Sequence, residues 1–255
     1  MDKLSIMGVR INNISMNEVL KLAEQKIKND EKYIIYTPNT EIIMMCQKDE
    51  EFLNIMNKSD INVPDGVGLI YAGKIKKFPL KEKVAGYDLS INLLKMADEK
   101  GLKLYAVGGR PGVAEAAMQN IQKKYPGIKI VGAHHGYFKG THLGEFGHEE
   151  EIALIEDINR HKPHILFVGF GAKKQEQWIE YNKDLINANI IIGNGGTLDG
   201  LAGIVKRAPD IFINLGLEWL YRLIKEPKRI TRQIVLPVFM FKVIFGNKDI
   251  VRVIE

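Results

Sequence analysis

The first residue whose type and setting invite chemistry is Asp65, in the run Ile61-Asn62-Val63-Pro64-Asp65-Gly66-Val67-Gly68-Leu69. Ile61 and Val63 read as the end of a short buried strand, and Pro64, which cannot donate to a ladder, stops it. Gly66 and Gly68 let the backbone turn sharply, and the apolar run Val67, Leu69, Ile70, Tyr71 then reads as helical. Asp65 is thereby placed on a strand-to-helix turn, at the carboxyl edge where open α/β sheets bind ligands. Asp is also a preferred N-cap, so the plainer reading is a residue that only starts its helix. A second corner of the same kind follows Tyr33 to Tyr36. Its tip is Thr37-Pro38-Asn39-Thr40, with Thr37 and Asn39 as the polar side chains.

Three further strands end in glycine, at Gly108-Gly109, Gly169 to Gly171 and Gly193 to Gly196. Such loops let backbone amides approach a phosphate, and the helix start behind each favours negative charge. Gly193 to Gly200 does not fit Gly-x-Gly-x-x-Gly, because Leu198 stands where the third glycine belongs, and no P-loop is present. Together the three loops favour a nucleotide or sugar-nucleotide ligand. The alternative, that a glycine merely ends a helix or eases helix–sheet packing, is expected to hold for at least one of them. Metal is poorly supported. His134 and His135 are adjacent, so on a strand they would point to opposite faces. There is no Asp-x-Asp and no His-Glu-x-x-His. A diphosphate leaving from such a site has to be stabilised by lysine, arginine and helix ends.

These residues need a frame, and the chain supplies one. Strand-like runs at Leu4 to Val9, Tyr33 to Tyr36, Leu102 to Val107, Ile128 to Val131, Ile165 to Val168 and Ile190 to Ile192 alternate with helical patterns. Ser15 with Glu18 makes a capping box for a helix to about Lys28. Pro111 suits the start of the helix from about Val113 to Tyr125. Other helices are expected over Glu41 to Gln47, Asp88 to Lys100 and Glu149 to Asn159, and from Gln175 onward. Lys139 to Gly147 reads as a mobile surface loop. Most strands are continuous apolar runs, which is the pattern of a mostly parallel sheet covered on both faces, an α/β, Rossmann-like architecture.

With 255 residues, 45% hydrophobic and 26% charged, the chain can bury a large core. Its single cysteine, Cys46, excludes an internal disulfide and any site made of cysteine alone. It sits in the apolar run Ile42 to Cys46 and reads as a buried, inert thiol. No charged segment followed by an apolar core opens the sequence, and no apolar stretch reaches the roughly 18 residues a bilayer span needs. The expected location is the cytoplasm.

The C-terminal region differs in character. Between Arg222 and Lys242 six basic residues stand against one acidic residue, Glu226. Leu217, Leu220, Tyr221 and Ile224 fall at helical spacing, and Val235 to Ile244 is strongly apolar. Such a stretch suits an anionic membrane surface, at about 1 kcal/mol per basic residue near it. It equally suits a terminal helix packed on the core. Nucleic acid is not expected, because basic residues are not spread over a whole face.

Several of these runs are familiar together. Thr37-Pro38-Asn39, Val63-Pro64-Asp65-Gly66, Val84-Ala85-Gly86-Tyr87-Asp88-Leu89, His135-Gly136-Tyr137-Phe138, Gly171-Ala172-Lys173-Lys174-Gln175-Glu176, Lys206-Arg207-Ala208-Pro209 and Leu215 to Arg222 resemble the WecG/TagA/CpsF glycosyltransferases, in the right order over nearly the whole chain. The resemblance implies an inverting, metal-independent transfer with no cofactor. It implies N-acetylmannosamine moving from its UDP sugar to the 4-hydroxyl of N-acetylglucosamine on undecaprenyl diphosphate, an early step of wall teichoic acid linkage-unit synthesis. Asp65 matches the general base. Thr37, Asn39 and Gln175 match pocket residues, and Asp199 a position near the nucleotide. Arg222, Arg229 and Arg232 match arginines of a C-terminal appendage that closes over the site and docks on the membrane. The resemblance thus implies a core over residues 1–205, an appendage over 206–255, and a peripheral place on the inner face of the cell membrane. Where the family usually has arginine before Val-Ala/Thr-Gly, this chain has Lys83, which keeps the charge but loses the bidentate fork.

Two other readings stand beside this one. The donor can be UDP-N-acetylmannosaminuronic acid or another UDP-hexose, and the acid would call for an extra pocket cation. The chain can also be a non-catalytic sugar-nucleotide-binding protein at the membrane. A homo-oligomer is compatible with the sequence.

Overall fold

A computed structural model describes residues 2–225 and 234–254. Two sheets organise it. The larger has six parallel strands: β3 (Tyr33–Tyr36), β4 (Ile61–Asn62), β5 (Lys103–Gly108), β6 (Lys129–His134), β7 (Ile165–Gly169) and β8 (Ile190–Gly193). Their order is β4-β3-β8-β7-β5-β6. The smaller is antiparallel, with β1 (Lys3–Ile6) between β2 (Val9–Asn12) and β9 (Val251–Ile254). The fold is α/β, with a parallel sheet covered on both faces.

The apolar strand runs make that double cover necessary. Along β7, Ile165 and Phe167 face one core while Leu166 and Val168 face the other, and β3 and β8 alternate likewise. One face is covered by α1 (Met16–Lys28), α5 (Gly86–Lys100), α6 (Val113–Lys124) and α9 (Gly195–Leu201). The other is covered by α2 (Thr40–Cys46), α3 (Glu50–Lys58), α4 (Val67–Ile75), α7 (Glu149–His161) and α8 (Lys174–Asn182). Helix α1 starts as its sequence dictates. Glu18 accepts from the Ser15 backbone N–H at 2.8 Å, and Ser15 Oγ accepts from the Glu18 N–H at 3.4 Å. Cys46 is buried, and burial pushes its thiol up to about 12.

The faces matter for function. β3 and β7 lead to helices on one face, whereas their neighbours β8 and β5 lead to helices on the other. Loops leaving the carboxyl edge therefore diverge, and a crevice opens between them.

Three local expectations need correction. Leu4 to Val9 is not one strand but a hairpin. Met7 and Gly8 both take positive φ, 49° and 84°, and reverse the chain between β1 and β2. Such a two-residue turn matches the twist of the strands it joins. Lys139 to Gly147 is not a surface loop throughout. Thr141 and His142 are buried in a 3-10 turn, and the buried Glu151 carboxylate accepts from the Thr141 N–H (2.8 Å), Thr141 Oγ1 (2.9 Å) and Asn182 Nδ2 (3.2 Å). The histidine pair does not splay. β6 stops at His134, strand alternation stops with it, and the two rings lie 4.5 Å apart.

Beyond residue 205 come α10 (Asp210–Asn214), α11 (Glu218–Lys225) and α12 (Val235–Phe245), then β9. Phe239 and Val243 of α12 are fully buried, with α2 and α4 as neighbours. The opposite side of α12 exposes Val238, Phe241, Ile244 and Phe245. No helix among the described residues is long and apolar enough to cross a membrane.

Candidate active site

The crevice is a cavity of about 910 Å³ above the strand ends. One wall is made of three loops sewn together by backbone. The Val63 N–H donates to Tyr36 O (2.9 Å), the Asp65 N–H to Pro38 O (3.1 Å) and the Val84 N–H to Pro64 O (2.9 Å). This stitching brings Thr37, Asn39, Asp65 and Lys83 to a common surface, and all four line the cavity. They come from loops up to 46 residues apart in sequence, counted from Thr37 to Lys83.

Asp65 does not cap its own helix. Gly66 holds the N-cap position of α4 with φ 87°, and no side chain caps that end. The Asp65 Oδ2 instead accepts from the Gly86 N–H, at the start of α5, at 3.2 Å. A helix start is a favourable neighbour for a carboxylate. Gly66 is required here, since its backbone region is one that side chains rarely enter. The result is a half-buried carboxylate on the cavity wall.

Asn39 is a cap. Its Oδ1 accepts from the Ile42 N–H at 3.0 Å and starts α2. Gln175 is mostly buried and its amide is engaged at both ends. Oε1 accepts from the Gly195 N–H at 3.0 Å, and Nε2 donates to Glu176 Oε1 at 2.8 Å. Asp199 lines the cavity from α9. Ser90 of α5 donates to Asn194 Oδ1 at 2.8 Å and so ties the Asp65 wall to the turn before α9.

The glycine loops divide. A Cβ at Gly108 would lie 2.4 Å from Gly169 O, and one at Gly169 would lie 2.6 Å from Leu198. These two serve close packing between β5, β7 and α9. Gly171 and Gly196, by contrast, have open space around them and line the cavity.

Residues that the sequence did not mark as site residues complete the walls. Arg110, Lys174 and Arg207 line the cavity with Lys83. Arg207 pairs with Asp88 and lies over the Tyr87 ring, 4.8 Å from its centroid. Arg110 was signalled only by its place after Gly108-Gly109. His142 lines the cavity from the turn that read as surface loop, stacked on Phe170 at 4.5 Å. Burial lowers its imidazole below the usual histidine range. Trp219 of α11 and Leu236 of α12 also reach the cavity. The side chain of Arg222 on α11, and all of Arg229 and Arg232, lie outside the described residues. Among the described residues, no three His, Cys, Asp or Glu side chains gather as a metal site would require.

A parallel sheet, a crevice at its carboxyl edge, and a wall that carries Asp65 together with Lys83, Arg110, Lys174 and Arg207 define an α/β enzyme that works above its strand ends. Comparison with known proteins narrows this. Residues 4–250 match the Glycosyl transferase WecG/TagA/CpsF family, and the chain belongs to that family. Relatives from Staphylococcus aureus strains MW2 and NCTC 8325 carry the name N-acetylglucosaminyldiphosphoundecaprenol N-acetyl-beta-D-mannosaminyltransferase. Each is 32% identical over 253 residues, spanning 97% of this chain and 94% of the relative.

Proposed function

We propose that this glycosyltransferase moves N-acetylmannosamine from UDP-N-acetylmannosamine to the 4-hydroxyl of N-acetylglucosamine on undecaprenyl diphosphate, in the wall teichoic acid linkage unit. The names of the relatives support the sugar and the lipid-linked acceptor. The observation that carries the chemistry is the place of Asp65, on the cavity wall and not spent on capping α4. In this reading the acceptor oxygen attacks the anomeric carbon while Asp65 takes its proton. The bond from that carbon to the diphosphate oxygen breaks, and UDP leaves with the electron pair. A single displacement inverts the configuration.

No metal takes part. Lys83, Arg110, Lys174 and Arg207, all on the cavity wall, offset the charge on the departing diphosphate. Arg222, Arg229 and Arg232 add to that positive field when the segment that carries them closes over the site at the membrane. Thr37, Asn39 and Gln175 bind substrate in the pocket, and Asp199 stands near the nucleotide.

The lipid acceptor fixes where the enzyme works. Val238, Phe241, Ile244 and Phe245 present an apolar face on α12, beside a chain region rich in arginine and lysine. That combination suits docking on an anionic bilayer surface, at the inner face of the cell membrane.

The test is a donor screen with lipid-linked N-acetylglucosamine as acceptor, read by UDP release. UDP-N-acetylmannosamine is expected to turn over fastest, and EDTA to leave the rate unchanged. A preference for UDP-N-acetylmannosaminuronic acid would move the donor assignment. Inhibition by EDTA reversed by magnesium or manganese would overturn the metal-free step. No turnover with any donor would favour a non-catalytic binding role.

A further inference from the structure

Glu176 is a buried acid that the proposed transfer does not use. It is 2% exposed, in the first turn of α8, behind the Gly193 turn. Its two oxygens have separate tasks. Oε2 accepts from the Lys173 N–H at 2.7 Å, and Lys173 has a left-handed backbone, φ 70°. Oε1 accepts from Gln175 Nε2 at 2.8 Å. The other end of that amide, Gln175 Oε1, accepts from the Gly195 N–H at 3.0 Å. The three bonds form one relay, and its polarity is set at the carboxylate. Because both Glu176 oxygens accept, Gln175 has to present its NH2 to Glu176 and its carbonyl to Gly195. The relay also packs tightly under the turn. A Cβ at Gly193 would lie 2.7 Å from Gln175 Nε2 and 3.1 Å from Glu176 Oε1.

We infer that Glu176 is a positioning residue: acting through Gln175, it holds the Gly193 to Gly196 turn of the cavity wall in place. Gly195 and Gly196 both line the cavity, so the turn's position decides where ligand can sit. The consequence for ligand rests on reading this cavity as a sugar-nucleotide site.

The relay makes a specific demand of variants. Glu176→Gln turns one acceptor into a donor, which then faces either the Gln175 NH2 or the Lys173 N–H. Gln175 has to turn over or withdraw, and Gly195 loses its acceptor. The paired exchange Gln175→Glu with Glu176→Gln restores every donor to an acceptor with the middle bond reversed. The Lys173 N–H then meets the new carbonyl at 176, and the carboxylate at 175 accepts from both the new amide and Gly195. A carboxylate that merely filled space at 176 would not be rescued in this way.

The experiment is amide hydrogen exchange at Gly195, followed by NMR on the full chain without ligand, at a pH above the value of about 7 to which burial raises Glu176, so that both its oxygens are acceptors. Exchange is expected to speed up about tenfold in Glu176→Gln, the loss of one ordinary hydrogen bond, and to return to the wild-type rate in the paired exchange. An unchanged Gly195 rate in Glu176→Gln, or no rescue in a folded paired variant, overturns the inference. Should Glu176→Gln not fold, Gln175→Met takes its place. Fast exchange there with protection in the paired variant supports the relay, and equal rates in the two refute it. In a separate titration with UDP, Glu176→Gln is expected to bind about tenfold more weakly than wild type. A wild-type protein that ignores UDP removes the nucleotide reading, and the Gly195 rates still decide the relay.

Discussion

Asp65 shows what a single side chain inherits from its surroundings. Its sequence neighbours suit a helix cap, yet Gly66 takes that position and the carboxylate turns to the start of α5. If it removes the acceptor proton, Asp65→Asn should lower transfer about 10²- to 10⁴-fold while UDP affinity stays unchanged. UDP release with lipid-linked acceptor, set beside UDP titration, checks this, and wild-type turnover would dismiss Asp65 as the base. The corner itself was legible in Pro64, Gly66 and Gly68, since proline and positive-φ glycine act locally. What the carboxylate bonds to was not, because Gly86 lies 21 residues away and belongs to another helix. The role of Asn39 as a cap of α2 was equally readable only once the helix start was known. Arg110, Lys174 and Arg207 stood in or beside runs that drew notice, but nothing local marked them as site residues, since a surface cation looks the same in sequence whether or not a crevice lies beside it.

Among the elements, strand–loop–helix units were the easiest to read, because continuous apolar runs such as Ile165 to Val168 leave little choice. The errors fell where one residue overrides a pattern. Met7 takes a left-handed backbone that its type does not announce, and a hairpin replaces one strand. Thr141 and His142 are polar, so they read as surface, but Glu151 supplies the acceptors that let them be buried. This anchor is testable. Glu151→Leu leaves the Thr141 N–H without its acceptor and takes one of two acceptors from Asn182 Nδ2, and should cost about 3 kcal/mol in urea unfolding. Glu151→Gln should cost far less, because its carbonyl can still accept and its amide can donate to Thr141 Oγ1. Equal losses in the two variants would mean that packing, not hydrogen bonding, holds the turn and with it His142.

For the molecule as a whole, two properties combine contributions from many places. One is stability against pH. Burial raises the Glu176 carboxyl from 4.5 to about 7. Between those values the folded chain holds a proton that the unfolded chain has released, so stability falls as pH rises through this window and levels off above it. Urea midpoints from about pH 5 to about pH 8 should show that decline, with the Glu176 share absent in Glu176→Gln. Stability rising over the same window would contradict the assignment. The other property is attachment to lipid. Phe241 and Phe245 are 63% and 72% exposed, so Phe241→Ser with Phe245→Ser should leave the fold intact. Co-sedimentation with anionic vesicles should drop about tenfold or more, and UDP titration should not change. Undiminished sedimentation would place the contact elsewhere. A truncation at Lys206 is a poorer probe, since it would also strip Phe239 and Val243 from the buried core and β9 from β1.

That last pairing has a bearing on biosynthesis. Residues 3–6 lie against residues 251–254, so the small sheet cannot close while the ribosome still holds the latter. Until then β1 has one open edge, which is the kind of surface that invites stray strands. Closing the small sheet thus joins the two extremes of the described chain.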